Sequence, residues 1–209
     1  MIDDLSVREF SARLASREPT PGGGSAAALA GALGAGLVSM VCNFTVGREK
    51  YADVEEEMQG VLTRSEELRG ELERAVEDDA AAYGGYAEAQ KMPRESDEER
   101  DARAAAMAAA MRASTVVPLE VAERCSELLR LAVRAAELGN RFLISDAAVG
   151  AELAAAARAS AELNVRLNLG GVDDEEFVSG VRARLEALGD DAREQVSRAT
   201  AIVEERAAG

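Results

Sequence analysis

One segment limits the fold more than any other. From Ala26 to about Val46 the chain is apolar and built mainly of alanine and glycine. It holds no proline and does not alternate with period two, so it reads as a helix of about 20 residues. That length is enough to span a bilayer. Its composition argues against a span. Alanine and glycine stand where a lipid-facing helix carries Leu, Ile and Phe, Ser39, Asn43 and Thr45 interrupt it, and no aromatic anchors flank it. Small residues such as Ala27, Gly31, Gly34 and Ala35 let other backbones come close. The expectation is a central helix surrounded by others, or a helix at a dimer interface.

The rest of the chain reads as helix too. β-Branched residues are sparse, and apolar residues recur at helical spacing almost throughout. Asp4 or Ser6 is placed to cap a short first helix carrying Val7, Phe10 and Leu14, which stops before Pro19. Ser25 is a natural N-cap for the apolar helix. A second long helix runs from about Ala52 toward Gln90 and would be ~60 Å long if straight. A compact chain of this size has a radius of gyration of only ~17 Å. The helix therefore either kinks, with Gly84-Gly85 the obvious place, or makes the molecule elongated. After a loop at Pro93, Asp97 is placed to cap a helix to about Ser114; Pro118 either kinks it or starts a new helix reaching Leu138. Gly139-Asn140 ends that stretch, Ser145 is placed to cap a helix from Asp146 to about Asn168, and Asp173 opens a final amphipathic stretch that Gly189 divides. With no linker and no internal repeat, residues 1–209 are expected to form one all-α domain, an elongated bundle of long helices.

Composition removes whole classes of function. There are 39 acidic and 24 basic residues, a net charge of −15, which opposes binding to a phosphate backbone. There is no histidine. That excludes Ser-His and Cys-His catalysis, imidazole proton transfer and His-ligated metal sites. Two distant cysteines, Cys42 and Cys125, cannot build a three- or four-Cys zinc site and read as buried free thiols of a reducing cytosol. The opening M-I-D-D-L has neither a basic region nor an apolar one, so no signal peptide and a cytoplasmic location are expected. Only Lys50 and Lys91 are lysines; the abundance of Ala, Arg and Glu fits a GC-rich genome or a salt-adapted cytoplasm.

Four groups of residues are candidates for chemistry. In P-T-P-G-G-G-S, Pro21, Gly22, Gly23, Gly24 and Ser25 lead into a helix N-terminus, where backbone N–H groups can face a ligand. The same residues would serve a plain sharp turn. No Gly-Lys-Ser/Thr follows and no strand precedes, so this is neither a P-loop nor a dinucleotide fingerprint. Asp79 lies on the apolar stripe of the long helix between Ala75 and Tyr83, whereas Asp78 does not. A carboxylate there either pairs with an arginine or lines a cleft. Asp146 sits in the first turn of its helix, where capping alone explains it. Asn164 and Asn168 lie one turn apart and favour a hydrogen-bonding role. Asp146 and Asn164 share a face but stand ~27 Å apart along the axis. They cannot both touch one reacting atom in one subunit; they could sit at opposite ends of a long ligand, or in sites completed by different subunits. The basic candidates are Arg48, Lys50, Lys91, Arg94, Arg141 and Arg166.

These pieces, in this order, resemble the cyclodeaminase/cyclohydrolase family of folate enzymes. The likeness rests on P-T-P-G-G-G-S, K-Y-x-x-V-E-E-E-M from Lys50 to Met58 and D-A-x-A-Y from Asp79 to Tyr83. It continues through V-P-L-E-V-A from Val117, Gly139-Asn140, I-S-D-A from Ile144 and L-N-V-R-L-N-L from Leu163. The resemblance implies a helical subunit that dimerises and binds a tetrahydrofolate derivative as substrate, without metal, nucleotide or redox cofactor. It implies conversion of 5-formiminotetrahydrofolate to 5,10-methenyltetrahydrofolate and ammonia, or interconversion of the methenyl form with 10-formyltetrahydrofolate, and leaves the choice between them open. On this reading Asp79, Asp146 and Tyr83 are the acid/base or cation-stabilising candidates. The glycine loop contacts the ligand, Asn140, Asn164 and Asn168 bind it, and Lys50, Lys91 and Arg166 hold an anionic, polyglutamylated tail. The cleft should then concentrate lysine and arginine while the excess acid lies outside. The rival from another class is a non-catalytic helical folate-binding or assembly module.

Overall fold

The computed structural model describes Ile2 and residues 4–208. The elements are α1 (Val7–Leu14), α2 (Gly23–Asn43), a 3-10 turn (Glu49–Val54), α3 (Glu55–Lys91), α4 (Asp97–Leu138), α5 (Ile144–Leu169), α6 (Glu175–Ala187) and α7 (Ala192–Ala208), with no strand among the described residues. The all-α expectation holds.

Local chemistry sets most helix ends, in places one residue from the expected position. Ser6 caps α1 in a reciprocal box with Glu9. Ser96, not Asp97, caps α4 in the same way with Glu99. Asp174, not Asp173, caps α6, its carboxylate accepting the Phe177 amide at 2.9 Å. Ser145 lies inside α5, whose N-terminus has no side-chain cap. Nor does Ser25 cap α2: the N-cap is Gly22, which has no side chain to offer.

The two long helices do not break. α3 runs through Gly84-Gly85 for 37 residues, and α4 runs through Pro118 for 42. At 1.5 Å per residue they are about 55 and 63 Å long. The accessible surface is 11493 Å², against about 9300 Å² for a compact monomer of this mass. Elongation wins over kinking.

α2 lies at the centre, against α3, α4 and α5, and its apolarity is used there. Gly34 and Gly150 mark its crossing with α5. A Cβ on Gly34 would stand 2.9 Å from the Gly150 carbonyl oxygen, and one on Gly150 would stand 3.0 Å from that of Gly34. Gly31 makes room for Leu72 and Cys125 on the other side. Cys42 and Cys125 are free and buried, and burial pushes both thiols up to about 12. They are inert at neutral pH.

Arginine and glutamate knit α3 to α4 outside the core. Arg64 donates to both oxygens of Glu127 at 2.7 and 2.8 Å, and Arg124 donates to Glu71 at 2.6 Å. The Arg124 hydrogen bond holds the Glu71 carboxyl below the usual glutamate range, and the Arg64 hydrogen bond does the same for Glu127. Lowered folded values mean that this stability is full above the ordinary glutamate pKa and is lost as pH falls through the folded ones. Each partly exposed pair contributes about 1 kcal/mol or less. Thermal melts from pH 7 to pH 3.5 should therefore show a steeper acid loss for the native chain than for Glu71→Gln. Parallel curves would show that the network adds nothing.

Candidate active site

Gly22 leaves the first amides of α2 without a local cap, and α3 supplies one from 54 residues away. The Ser25 N–H donates to Asp79 Oδ2 at 2.7 Å, and the Ser25 hydroxyl lies 2.8 Å from the same oxygen and 3.1 Å from the Val76 carbonyl. A carboxylate at a helix N-terminus is favoured by the dipole. Asp79 thus faces the bundle as its stripe position implies, while Asp78 is exposed. It pairs with a helix end rather than with an arginine.

The three glycines differ in what they do. A Cβ on Gly24 would fall 2.0 Å from Asp79 Oδ1 and 2.5 Å from its Cγ, inside the carboxylate. At Gly23 a Cβ meets nothing within 4 Å, and at Gly22 it meets only the Pro19 carbonyl at 3.7 Å. Only Gly24 is demanded by the seat of Asp79.

Beside this contact opens a cleft of about 320 Å³, lined by Pro19, Thr20 and the three glycines, by Asp79, Tyr83 and Tyr86 of α3, by Met111 and Ser114 of α4, and by Asn164 and Asn168 of α5. Three expected groups meet here: the glycine loop, the Asp79–Tyr83 face and the asparagine pair. Asp79 Oδ2 is taken by Ser25, whereas no partner holds Oδ1 among the described residues. The amides of Gly23 and Gly24 likewise carry no hydrogen bond there. The cleft therefore offers a carboxylate oxygen, backbone donors and two tyrosines around one space.

The other expected site residues lie elsewhere in this subunit. Pro21 is buried behind the loop. Asp146 and Asn140 stand at the opposite end of α5, and Lys50 is exposed there, 5.6 Å above the Tyr51 ring. Asn140 is already engaged. Its amide N–H donates to Thr45 Oγ1 at 2.8 Å, its Nδ2 donates to the Phe44 carbonyl at 3.0 Å, and its Oδ1 accepts from Phe142 N–H at 3.2 Å. Lys91 pairs with Glu88 and Arg166 with Glu162, both on the surface. Arg166 lines a larger, mixed-charge crevice of about 650 Å³ between α5 and α6 with Glu162, Arg182, Glu186 and Asp190. The expectation of a cation-rich cleft fails in the single subunit: among the described residues Asp79 is the only charged one in its lining. Arg64, Arg69, Arg100, Arg124, Arg134 and Arg166 each pair with a carboxylate three or four residues away, outside this cleft.

The sequence reading missed Pro19, Thr20, Tyr86, Met111 and Ser114 as lining residues. Tyr86 follows Tyr83 by three residues, so helical spacing pointed to it. Met111 and Ser114 arrive from another helix and carry no local signal.

The sequence model of the family described as Formiminotransferase-cyclodeaminase matches residues 6–187. A protein of Methylorubrum extorquens named methenyltetrahydrofolate cyclohydrolase is 44% identical over 90% of this chain and 90% of its own length. The formimidoyltransferase-cyclodeaminase of Mus musculus is 34% identical over 97% of this chain, which spans 38% of that longer protein. Among solved structures, formiminotetrahydrofolate cyclodeaminase from Thermotoga maritima superposes with a TM-score of 0.85 at 30% identity, covering 98% of each chain. The ordered motifs, the helical architecture and these likenesses agree, and the chain belongs to the formiminotransferase-cyclodeaminase family.

Proposed function

We propose that the chain is a cytoplasmic methenyltetrahydrofolate cyclohydrolase. The observation that carries this is the Asp79 carboxylate, seated on the α2 N-terminus with one oxygen open to a cleft large enough for a pterin ring. Water adds to the carbon bridging N5 and N10, and its proton passes to Asp79 as the C–O bond forms. Asp79 returns that proton to N5 as the C–N5 bond breaks. The hydroxyl becomes the formyl carbonyl and releases its own proton to solvent. The substrate is a delocalised cation, so a fixed carboxylate beside it favours its binding, and the same group takes up the proton that the attacking water loses. Tyr83, half-exposed in the cleft wall, is placed to order the attacking water. None of these steps asks for a metal, a nucleotide or a redox group.

Cyclodeaminase activity is the second reading, favoured by the Thermotoga maritima likeness. There N10 attacks the formimino carbon and ammonia leaves, with the same carboxylate moving protons. The absorbance of 5,10-methenyltetrahydrofolate separates the cases. Loss of the band on adding protein is the expected result. Growth of the band from the formimino compound, with ammonia release, assigns the deaminase. No change from either favours the non-catalytic binding module and overturns the proposal.

The working unit we propose is a homodimer through the outer faces of α2 and α5. Leu33 is 58% exposed on α2, and Leu163 and Leu167 are 56% and 69% exposed on α5. Leu29 and Leu37 of α2, Phe44 at its C-terminus and Val149 of α5 add to the apolar side chains that these two helices leave partly or largely exposed. A two-fold axis crossing α2 near Leu33 sets the Lys50–Asn140–Asp146 end of one subunit against the glycine loop of the other. That arrangement gives each cleft a lysine and a second carboxylate for the folate tail and the cation. Leu33→Glu should yield monomers by light scattering, with turnover lost by about tenfold or more, because a charge buried at such a face is costly. A native chain that runs as a monomer would sink the dimer.

A further inference from the structure

The proline in α4 has a consequence for the cleft. Pro118 has no N–H, so the carbonyl four residues back, on Ser114, has no intrahelical donor. The helix does not break there. The freed carbonyl accepts a hydrogen bond from Asn168 Nδ2 of α5 at 2.6 Å. The bond fixes which way the Asn168 amide faces, because turning it over would set its oxygen against the Ser114 oxygen. Asn164 is held in the same sense by its Nδ2 donating to the Ser160 carbonyl at 3.1 Å. Both asparagines line the cleft, and no hydrogen bond engages either Oδ1 among the described residues. Asp79 Oδ1 is free on the opposite wall. Three acceptor oxygens therefore face one space from α3 and α5.

We propose that Pro118 is a positioning residue: by freeing the Ser114 carbonyl it locks Asn168 as an acceptor, so that the cleft selects a ring edge rich in N–H donors, such as the amide N–H and exocyclic amine of a 2-amino-4-oxopyrimidine. The inference rests on the folate reading and adds to it the direction of the hydrogen bonds. A ring lacking the exocyclic amine leaves an acceptor unpaired. Neutral hydrogen bonds to buried partners are worth enough to set a selectivity of about tenfold.

The test is equilibrium binding of 5-formyltetrahydrofolate and of its 2-desamino-2-methyl counterpart to the full chain by calorimetry. The native protein should prefer the amino compound by about tenfold. Asn168→Leu should bring the ratio to about one. In Pro118→Ala the new N–H competes for the Ser114 carbonyl and unlocks the amide, so the ratio should fall to about threefold or less. General loosening of the helix would weaken both ligands equally and leave the ratio unmoved. If Asn168→Leu keeps the native ratio, the acceptor role is wrong. If Asn168→Leu loses it and Pro118→Ala keeps it, the positioning role of the proline is wrong. If the native chain binds neither compound, the folate reading fails and this inference goes with it.

Discussion

Asp79→Asn is expected to lower turnover of 5,10-methenyltetrahydrofolate by about 10²–10⁴-fold, the usual contribution of a positioned acid/base group. The amide oxygen can still accept from Ser25 N–H, so the α2 cap and the helical circular dichroism should persist while proton transfer and the negative charge are lost. Gly24→Ala should reach a similar end by a different route. Its new methyl occupies the place of Asp79 Oδ1 and Cγ, so the carboxylate must leave its seat. A misplacement of about 1 Å can cost 10²-fold. Because both changes act through one group, Gly24→Ala should cost little more once Asp79 is already asparagine. Single variants that fold and turn over at the native rate would remove Asp79 from the mechanism. Additive losses would mean that Gly24 acts on the ligand directly.

The second large effect concerns stability. Gly34→Val puts side-chain atoms where α2 and α5 touch backbone to backbone, 2.9 Å from the Gly150 carbonyl. Overpacking costs about 1–3 kcal/mol, and the upper end applies because the obstacle is backbone rather than a movable side chain. For a chain of this length that is roughly 5–10 °C in melting temperature. Gly60→Ala is the contrast. Gly60 lies within α3 and a Cβ there meets nothing within 4 Å. It should gain roughly 0.5–1 kcal/mol by reducing backbone freedom in the unfolded chain. Opposite signs from two glycines in two packed helices would show that contact, not helix propensity, explains Gly34. Gly34→Val melting like the native chain would contradict it.

Much of the site was legible because helical periodicity is a local property. The stripe through Ala75, Asp79 and Tyr83 faces the bundle, and the spacing of Asn164 and Asn168 brings both to one cleft. Capping was legible to within a residue at α1, α4 and α6, where Ser6, Ser96 and Asp174 bond within their own first turns, and not at α2 or α5, whose N-termini have no side-chain cap of their own. The cations were not. Lys91 and Arg166 look free along the sequence, yet each meets a carboxylate three or four residues away, which wins over a distant cleft. The proline was ambiguous for a similar reason. A lost hydrogen bond at Pro118 breaks a helix only if nothing else takes up the freed carbonyl, and Asn168 does so from 54 residues away.

The sequence by itself determined an all-helical chain, the small-residue character of its centre and the candidate pairings of motif and chemistry. These follow from interactions within a turn or two, where spacing alone decides which side chains meet. Only the tertiary structure decided that Asp79 caps α2, that Gly24 exists for that carboxylate, and that Lys50, Asn140 and Asp146 stand at the far end of the subunit. Those contacts join residues far apart in the chain. Their geometry depends on how whole helices cross, here at Gly34 and Gly150, and no local pattern carries that crossing.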